Sequence, residues 1–268
     1  MVANVAVIYD LASVAIRRIV VCDDDNQYVK TTGPCQCQAG EICLPVAVST
    51  YQASTMAQLQ ALIAADAAKQ IGVTSSYQTN FPLAENPILE GGRWQNNGKD
   101  WNNVQTVKGK AMGTILVPVG YADSYAYAAG YGNDHTVEAT IFEDGAATYS
   151  DSHECGLHLR KSDSAHVSQG YECNFPYGGG PQIVRWNGAI GDFGLVATTG
   201  PGYASPFVTG DIIKASILGP TITLWVNGAQ VLQGTDATFA TGNPGFGFFA
   251  RADTYAQYCF THLRISSP

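Results

Sequence analysis

The feature that most constrains the fold is the pair Asn227-Gly228, which lies between two short runs of alternating apolar and polar residues, 221–226 and 230–233. Both central residues of a type I′ turn need a positive φ, which asparagine and glycine tolerate best. An Asn-Gly pair between two alternating runs therefore predicts a β-hairpin. Within the first run, Ile222, Leu224 and Val226 are expected to share the buried face.

Strand patterns of the same kind recur through the C-terminal two thirds of the chain, with Gly, Asn and Pro between them. Many short strands of this type predict an antiparallel β-sandwich. The alternation in 211–217 is expected to turn Ile213, Ala215 and Ile217 inward, and Cys259 is expected to be buried and inert. The predicted strands are 108–117, 135–142, 154–161, 167–175, 182–186, 193–198, 211–218, 221–226, 230–233, 245–251 and 257–265.

The chain is expected to have three parts: a small β segment at 1–54, a connector at 55–79 and the sandwich at 80–268. In the connector, the alanine-rich stretch 55–71 predicts one short helix, with Gly72 as its stop. This helix could dock on the sandwich, or it could self-associate and produce a homo-oligomer.

Charge and hydropathy exclude several classes of function. The formal net charge is −8, and the few basic residues are scattered, whereas a protein that follows a phosphate backbone needs a clustered basic face. No stretch approaches the roughly 20 apolar residues of a membrane span. In the N-terminal segment the arginines follow the apolar run, which is the opposite order to a secretory signal. We therefore expect no nucleic-acid partner, no membrane insertion and synthesis in the cytoplasm.

The order of motifs from about residue 80 onward resembles the concanavalin A-like lectin/glucanase superfamily, in its laminin-G-like branch. The resemblance is carried by Trp94 and by the segments 183–188, 210–213, 224–228 and 245–248. It implies a jelly roll of two antiparallel sheets with a concave face that often binds sugars. The superfamily contains lectins, glycoside hydrolases, lyases and noncatalytic adhesion modules, so the fold alone does not choose a function.

The segment 8–20, followed by the acidic turn 23–25, resembles the leading segments of tailed-phage virion proteins. This second resemblance implies an adaptor that attaches a displayed β module to a capsid or tail. It predicts a noncatalytic capsid-decoration or head-fibre-like protein on the virion surface. Residues 1–54 would bind capsid or other virion proteins, and the sandwich would engage host surface glycans.

The sequence does not carry the acidic motif of glucanases, in which two glutamates flank an aspartate on one strand, so no catalytic residue is predicted. Glu138, Glu143 and Glu154 are the acids to test. The alternatives are a polysaccharide hydrolase or lyase with a divergent active site and a bacterial glycan-binding adhesin.

Aromatic residues among small and amide residues are the stronger functional signal. Sugars stack on rings while amides and carboxylates bind their hydroxyl groups. The opposing interpretation is that the tyrosines are half-buried strand residues. The predicted carbohydrate-binding residues are Trp101, Asn103, Tyr125, Tyr127, Tyr131, Asp134 and Trp225.

Seven cysteines leave at least one free thiol in a monomer. Cys155 and Cys173 flank a polar stretch, so a cross-strand disulfide and two reduced strand cysteines both fit the pattern. The four N-terminal cysteines lack the paired spacing of zinc knuckles, which leaves zinc, disulfides and free thiols open. These four are Cys22, Cys35, Cys37 and Cys43.

No cofactor is predicted, with calcium as the one candidate. Its oxygen ligands could come from Asp123 and Asn133-Asp134, although no Asp-x-Asp-x-Asp-Gly motif exists. His153 and His158, beside Asp151 and Glu154, could suggest a lyase base or a metal site, but their odd separation places them on opposite faces of a strand. We therefore expect both histidines to be solvated.

Overall fold

In a computed structural model, the chain divides into two compact units, Met1–Thr74 and Ser75–Pro268. The structure describes the strand backbone at 4–10, 15–22 and 41–46, and it describes residues 75–114, 122–147, 152–200, 206–250 and 254–268 in full. The predicted helix at 55–71 lies outside the described residues, as do the side chains of the four N-terminal cysteines.

The described strands of the first unit form an antiparallel sheet in the order β2-β1-β3. These strands are β1 (Asn4–Asp10), β2 (Ala15–Cys22) and β3 (Glu41–Val46). The register of β1 and β2 shifts between Ile8 and Tyr9, which is a β-bulge or a local irregularity. The short apolar runs of the N-terminal segment therefore do form strands.

The second unit is a two-sheet β-sandwich of the jelly-roll type, as the strand pattern and the superfamily resemblance led us to expect. Its strands are β4 (Ser76–Thr79), β5 (Trp94–Gln95), β6 (Asn102–Val107), β7 (Lys110–Gly113), β8 (Ser124–Ala128), β9 (His135–Glu143), β10 (Glu154–Ser164), β11 (Val167–Pro176), β12 (Gln182–Gly188), β13 (Phe193–Thr198), β14 (Ile212–Leu218), β15 (Thr221–Val226), β16 (Ala229–Thr235), β17 (Asn243–Phe249) and β18 (Tyr258–Ser266). A 3₁₀ turn at Tyr255–Gln257 precedes β18.

The first sheet has the order β13-β12-β11-β10-β17-β8, and the second has the order β7-β18-β9-β14-β15-β16. Strand β6 joins them, because it pairs in parallel with β8 and antiparallel with β7. All other recorded strand pairs are antiparallel. Strands β4 and β5 add to β18 and β8, respectively.

The core lies between the two sheets and is made of the inward-facing residues of both. Period-two alternation identified these residues well: Ile213, Ala215 and Ile217 of β14 are buried, as are Ile222 and Leu224 of β15. Cys259 is also fully buried, as predicted. Burial raises the pKa of its thiol to about 12, so the thiolate needed for reaction is scarce at neutral pH.

The hairpin predicted from Asn227-Gly228 is confirmed. Asn227 has φ +50° and Gly228 has φ +81°, the two positive values that a type I′ turn requires. The turn joins β15 to β16, with Val226 opposite Ala229.

The cross-strand disulfide is not present. Cys155 and Cys173 are free and buried thiols. The register of β10 and β11 places Cys155 opposite Phe175 and Cys173 opposite Leu157, so the two cysteines do not face each other. The alternative of two reduced strand cysteines is therefore correct.

The structure also moves the start of the sandwich. The residues of β4, which the sequence analysis assigned to the linker, pair with β18 from Leu263 to Ser266. Strands β5 and β6 were not predicted, and β8 was expected only under the interpretation of its tyrosines as strand residues. They are short and lack a clear apolar alternation, and their position depends on partners distant in sequence.

Candidate functional site

The face of the first sheet that points away from the core carries charged and polar side chains on β10 and β11. On β10, Cys155 and Leu157 point into the core while Glu154 and His158 lie on the other face. The adjacent strand β11 continues this outer face with Glu172, because Glu172 is opposite His158 in the register. Two strands therefore bring acids and an imidazole together on one surface.

A pocket of about 170 Å³ opens on this face, and we call it the acid pocket. One part of its wall is aromatic or aliphatic and the other part carries three carboxylates and two amides. Its lining residues are Asp123, Glu154, Glu172, Asn174, Gln182, Val184, Trp186, Phe193 and Phe249.

Hydrogen bonds from neighbouring strands orient two of the acids. The indole Nε1–H of Trp186 donates to Glu172 Oε2 at 2.7 Å, and the amide of Asn174 donates to Glu154 Oε2. His158 Nε2 lies 3.7 Å from Glu172 Oε1. A Cβ atom at Gly156 would come within 2.7 Å of Glu172 Oε1, so glycine at this position leaves the space that the carboxylate occupies.

A buried lysine lies beneath the acid pocket. Lys161 is 1% exposed, and its Nζ lies 4.3 Å from the centre of the Tyr125 ring and 5.8 Å from that of Trp186. Burial lowers the pKa of Lys161 to about 8, although the nearby charges of Glu172, Asp123 and Asp163 oppose this shift. Lys161 is thus predominantly an ammonium ion at neutral pH.

The three carboxyl groups of the pocket have different proton affinities. Burial and the charge of Glu172 raise the pKa of Glu154 to about 7. Burial, together with the charges of Glu172 and Glu154, raises the pKa of Asp123 well above its ordinary value. Burial acts in the same direction on Glu172, but contacts with His158, Trp186 and Lys161 outweigh it and hold the pKa of Glu172 below its ordinary value. Glu172 is therefore the carboxyl group that stays ionised.

Several buried polar atoms at this site lack a hydrogen-bond partner within the chain. In the lining of the acid pocket these atoms are Asp123 Oδ2 and Asn174 Oδ1. Next to it, the Nε1 of Trp101 and both ring nitrogens of His158 make no hydrogen bond, although His158 Nε2 keeps its longer ion-pair contact with Glu172. Buried polar groups in native proteins are nearly always satisfied, so such a concentration indicates a place for a polar ligand or ordered water.

Three of the predicted carbohydrate-binding residues lie beside this pocket, but their rings are buried against other side chains and do not form an exposed surface for a sugar. Trp101, Tyr125 and Tyr127 are buried and form a cluster with Trp186. The hydroxyl groups of Tyr125 and Tyr127 donate to Asp163 at 2.7 and 2.9 Å, respectively. The alternative expectation, strand tyrosines with buried rings, describes Tyr125 and Tyr127 of β8 better.

The other predicted carbohydrate-binding residues lie elsewhere or have other contacts. Asn103 pairs with Tyr125 between β6 and β8. Tyr131 packs against the main core, and Asp134 forms an ion pair with Arg160 at 2.9 Å. Trp225 lies in the second sheet with Lys214 over its ring at 4.3 Å. The structure therefore does not bring all seven predicted residues into one site.

Sequence reasoning named Glu154 and Asp123 for other reasons and missed Glu172, the third acid of the pocket. Of the three acids named for testing, Glu154 lines the pocket, whereas Glu138 and Glu143 belong to β9 in the second sheet. The expectation of solvated histidines was wrong, because His153 and His158 are buried. One available signal was the alternation in 171–174, which sets Glu172 on the face opposite to the buried Tyr171 and Cys173.

A larger groove of about 480 Å³ lies near β4, and Glu90 is its acidic residue. Tyr77, Thr79 and the indole of Trp94 all donate hydrogen bonds to the Glu90 carboxylate. Because these donors already satisfy the carboxylate, this groove is the weaker candidate for a polar ligand.

Among the residues that the structure describes, no group of three or more His, Cys, Asp or Glu side chains could hold a metal ion. Of the residues considered for calcium, Asp123 lines the acid pocket and Asp134 forms the ion pair with Arg160. In the same part of the chain, we find no helix with the length and apolarity that crossing a membrane requires.

No protein-family model matches this chain, and no curated protein matches it. Solved structures with a similar fold include the carbohydrate-binding module CBM66 from Bacillus subtilis, with 16% identity, a TM-score of 0.44 and coverage of 65% of this chain and 92% of that chain. The β-glucanase of Bacillus licheniformis has 11% identity and a TM-score of 0.45, over 72% of this chain and 98% of that chain.

A third similar structure is the CBM2 module of the evolved Dit of Lactobacillus casei BL23 phage J-1, with 9% identity and a TM-score of 0.43, over 72% of this chain and 96% of that chain. At this level of similarity, none of these structures identifies a site or a ligand in this chain.

Proposed function

We propose that the second unit binds a carbohydrate in the acid pocket, without cleaving it. The carrying observation is the juxtaposition of aromatic side chains with unpartnered buried polar atoms in one pocket of about 170 Å³. Sugars need both kinds of contact, because their C–H faces pack on rings while their hydroxyl groups bind polar atoms. The pocket is smaller than the roughly 300 Å³ at which sites for drug-sized ligands begin, so it suits one sugar ring of a glycan.

Phe193 is the residue with which to test this proposal. It lines the pocket, is 47% exposed and packs on Trp186 with 5.3 Å between the ring centres. On an array of immobilised oligosaccharides, we expect the full chain to be retained and Phe193→Ala to weaken retention about tenfold, equivalent to about 1.4 kcal/mol. Leu218→Ala is the control, because Leu218 is also exposed but lies in β14 of the second sheet. Equal retention by wild type and Phe193→Ala would place the sugar elsewhere.

Hydrolysis is the second candidate, and one observation favours it. Glu154 and Glu172 lie in one pocket with their pKa values moved in opposite directions, which is the division of labour between a general acid and an ionised carboxylate. The array distinguishes the two functions: retention without released product supports binding alone, whereas released sugar that Glu172→Gln abolishes supports a hydrolase.

The biological setting we propose is display on a phage virion, with residues 1–54 as the attachment segment. The support for this setting is the resemblance of the segment 8–20 to leading segments of tailed-phage virion proteins. Host surface glycans would then be the ligands of the acid pocket. A capsid or tail protein would be the partner of the first unit.

A further inference from the structure

The polar lining of the acid pocket consists mainly of hydrogen-bond acceptors. Asp123, Glu154 and Glu172 contribute carboxylates, and the free atom of Asn174 is its Oδ1. The N–H groups of Trp186 and Asn174 are directed at Glu172 and Glu154, respectively, which leaves the amide of Gln182 as the other side-chain N–H donor of the lining. A ligand that complements this lining must therefore supply donors in excess of acceptors.

The charged groups around the pocket also favour a ligand that donates hydrogen bonds, because acidic side chains outnumber cationic ones there. Lys161 is the cationic side chain whose charge lowers the pKa values of both Asp123 and Glu172, and a protonated His158 acts on Glu172 in the same direction. Lys161 does not line the pocket itself. Burial and the neighbouring carboxylate charges raise the pKa values of Glu154 and Asp123, because ionising both beside Glu172 would leave a costly excess of negative charge over the one ammonium. A cation in the pocket would remove that cost.

We propose that the sugar ring received by the acid pocket carries an ammonium group, as a hexosamine with a free amine does. An ammonium group has donors and no acceptor, which matches the lining. The rings of Trp186, Phe193 and Phe249 supply the aromatic surface on which organic cations are stabilised. A bare metal ion does not fit equally well, because the described residues contain no metal-ligating cluster. This inference rests on the proposed carbohydrate binding and specifies its ligand.

The titration of the pocket supports this choice of ligand. Glu154 shares the pocket with Asp123 and Glu172, and burial together with the charge of Glu172 raises its pKa to about 7. An ammonium group beside Glu154 would favour the ionised form and displace that proton. A neutral sugar offers no such compensation.

The test uses the full chain and three β-1,4-linked oligosaccharides of equal length, made of glucosamine, N-acetylglucosamine or glucose. They differ only in the substituent at C2 of each ring. At neutral pH we expect the glucosamine oligosaccharide to bind at least about tenfold more tightly than the other two, and we expect Glu154→Gln to remove most of that preference. The introduced glutamine would keep an oxygen for the Asn174 amide, so the variant changes mainly the charge.

Glu138→Gln is the matched control, because it makes the same change of net charge in the second sheet. If it weakened binding as much as Glu154→Gln, the attraction would come from the general charge of −8, and the inference would be overturned. Equal affinity for all three oligosaccharides would also overturn it, while leaving carbohydrate binding intact. If neither these probes nor any sugar on the array bound, the proposed function itself would fail.

Discussion

At the scale of single residues, Glu154 links the site to the stability of the fold. Its pKa rises from about 4.5 to about 7 through burial and the charge of Glu172. For an acid with a raised pKa, the folded state binds more protons than the unfolded state between these two values. The contribution of Glu154 to stability is therefore present below pH 4.5 and is lost as the pH rises through about 7.

Glu154→Gln mimics the protonated acid, so its free energy of unfolding should not fall with pH in the way that the ionisation of Glu154 lowers that of the wild type. In urea unfolding at about pH 5 the variant should match the wild type, and at about pH 8 it should be more stable by about 1–3 kcal/mol. The charge of Glu154 contributes to the raised pKa of Asp123, so the difference between the two proteins measures Glu154 together with its coupling to Asp123. A variant less stable than wild type at the higher pH would contradict the assignment of a raised pKa.

At the scale of elements, strand β17 depends on its glycines to pair closely with β8. A Cβ atom at Gly247 would lie 2.5 Å from the backbone oxygen of Ser124 and 2.8 Å from His158 Nε2. We expect Gly247→Ala to reduce the free energy of unfolding by about 2–4 kcal/mol in urea titrations, because the backbone must shift. Gly132→Ala is the control, since its nearest contacts would be at 3.6 Å, and its effect should stay within about 0.5 kcal/mol. Comparable losses in both variants would argue against the close approach of the two strands.

At the scale of the whole molecule, the chain divides into Met1–Thr74 and Ser75–Pro268, and we expect the second unit to fold without the first. The second unit has a continuous core, so the fragment that begins at Ser75 should unfold in one cooperative transition. A fragment that begins at residue 80 lacks β4 and should be less stable, because the pairing with β18 is lost. Circular dichroism with urea measures both.

The same fragment tests attachment. If residues 1–54 hold the protein on a virion, the fragment from Ser75 should fold but should not co-purify with particles that carry the full chain. Co-purification of the fragment would assign attachment to the second unit. A fragment that does not fold would show that the two units are not independent.

Much of the fold could be predicted from the sequence because its signals are local. The φ requirement at Asn227-Gly228 is a property of two adjacent residues, and the alternation in β14 follows from the pleat of a single strand. Where local signals were weak, as in β5 and β6, the strands were not predicted. The cysteine pairing could not be read either, since it depends on the register between two strands.

The sequence by itself determined the hairpin, the buried faces of its strongest strands and the all-β sandwich, because each follows from backbone conformation or from period-two burial. Only the tertiary structure decided the site. Glu154 and Glu172 lie on neighbouring strands and Asp123 directly precedes β8, so neither their proximity nor their opposing pKa shifts exist until the strands align. Tyr125 and Tyr127, which the sequence predicted to bind sugar, are buried in an aromatic cluster. The sequence pattern did not predict this, because it does not indicate which side of the strand is covered by other residues.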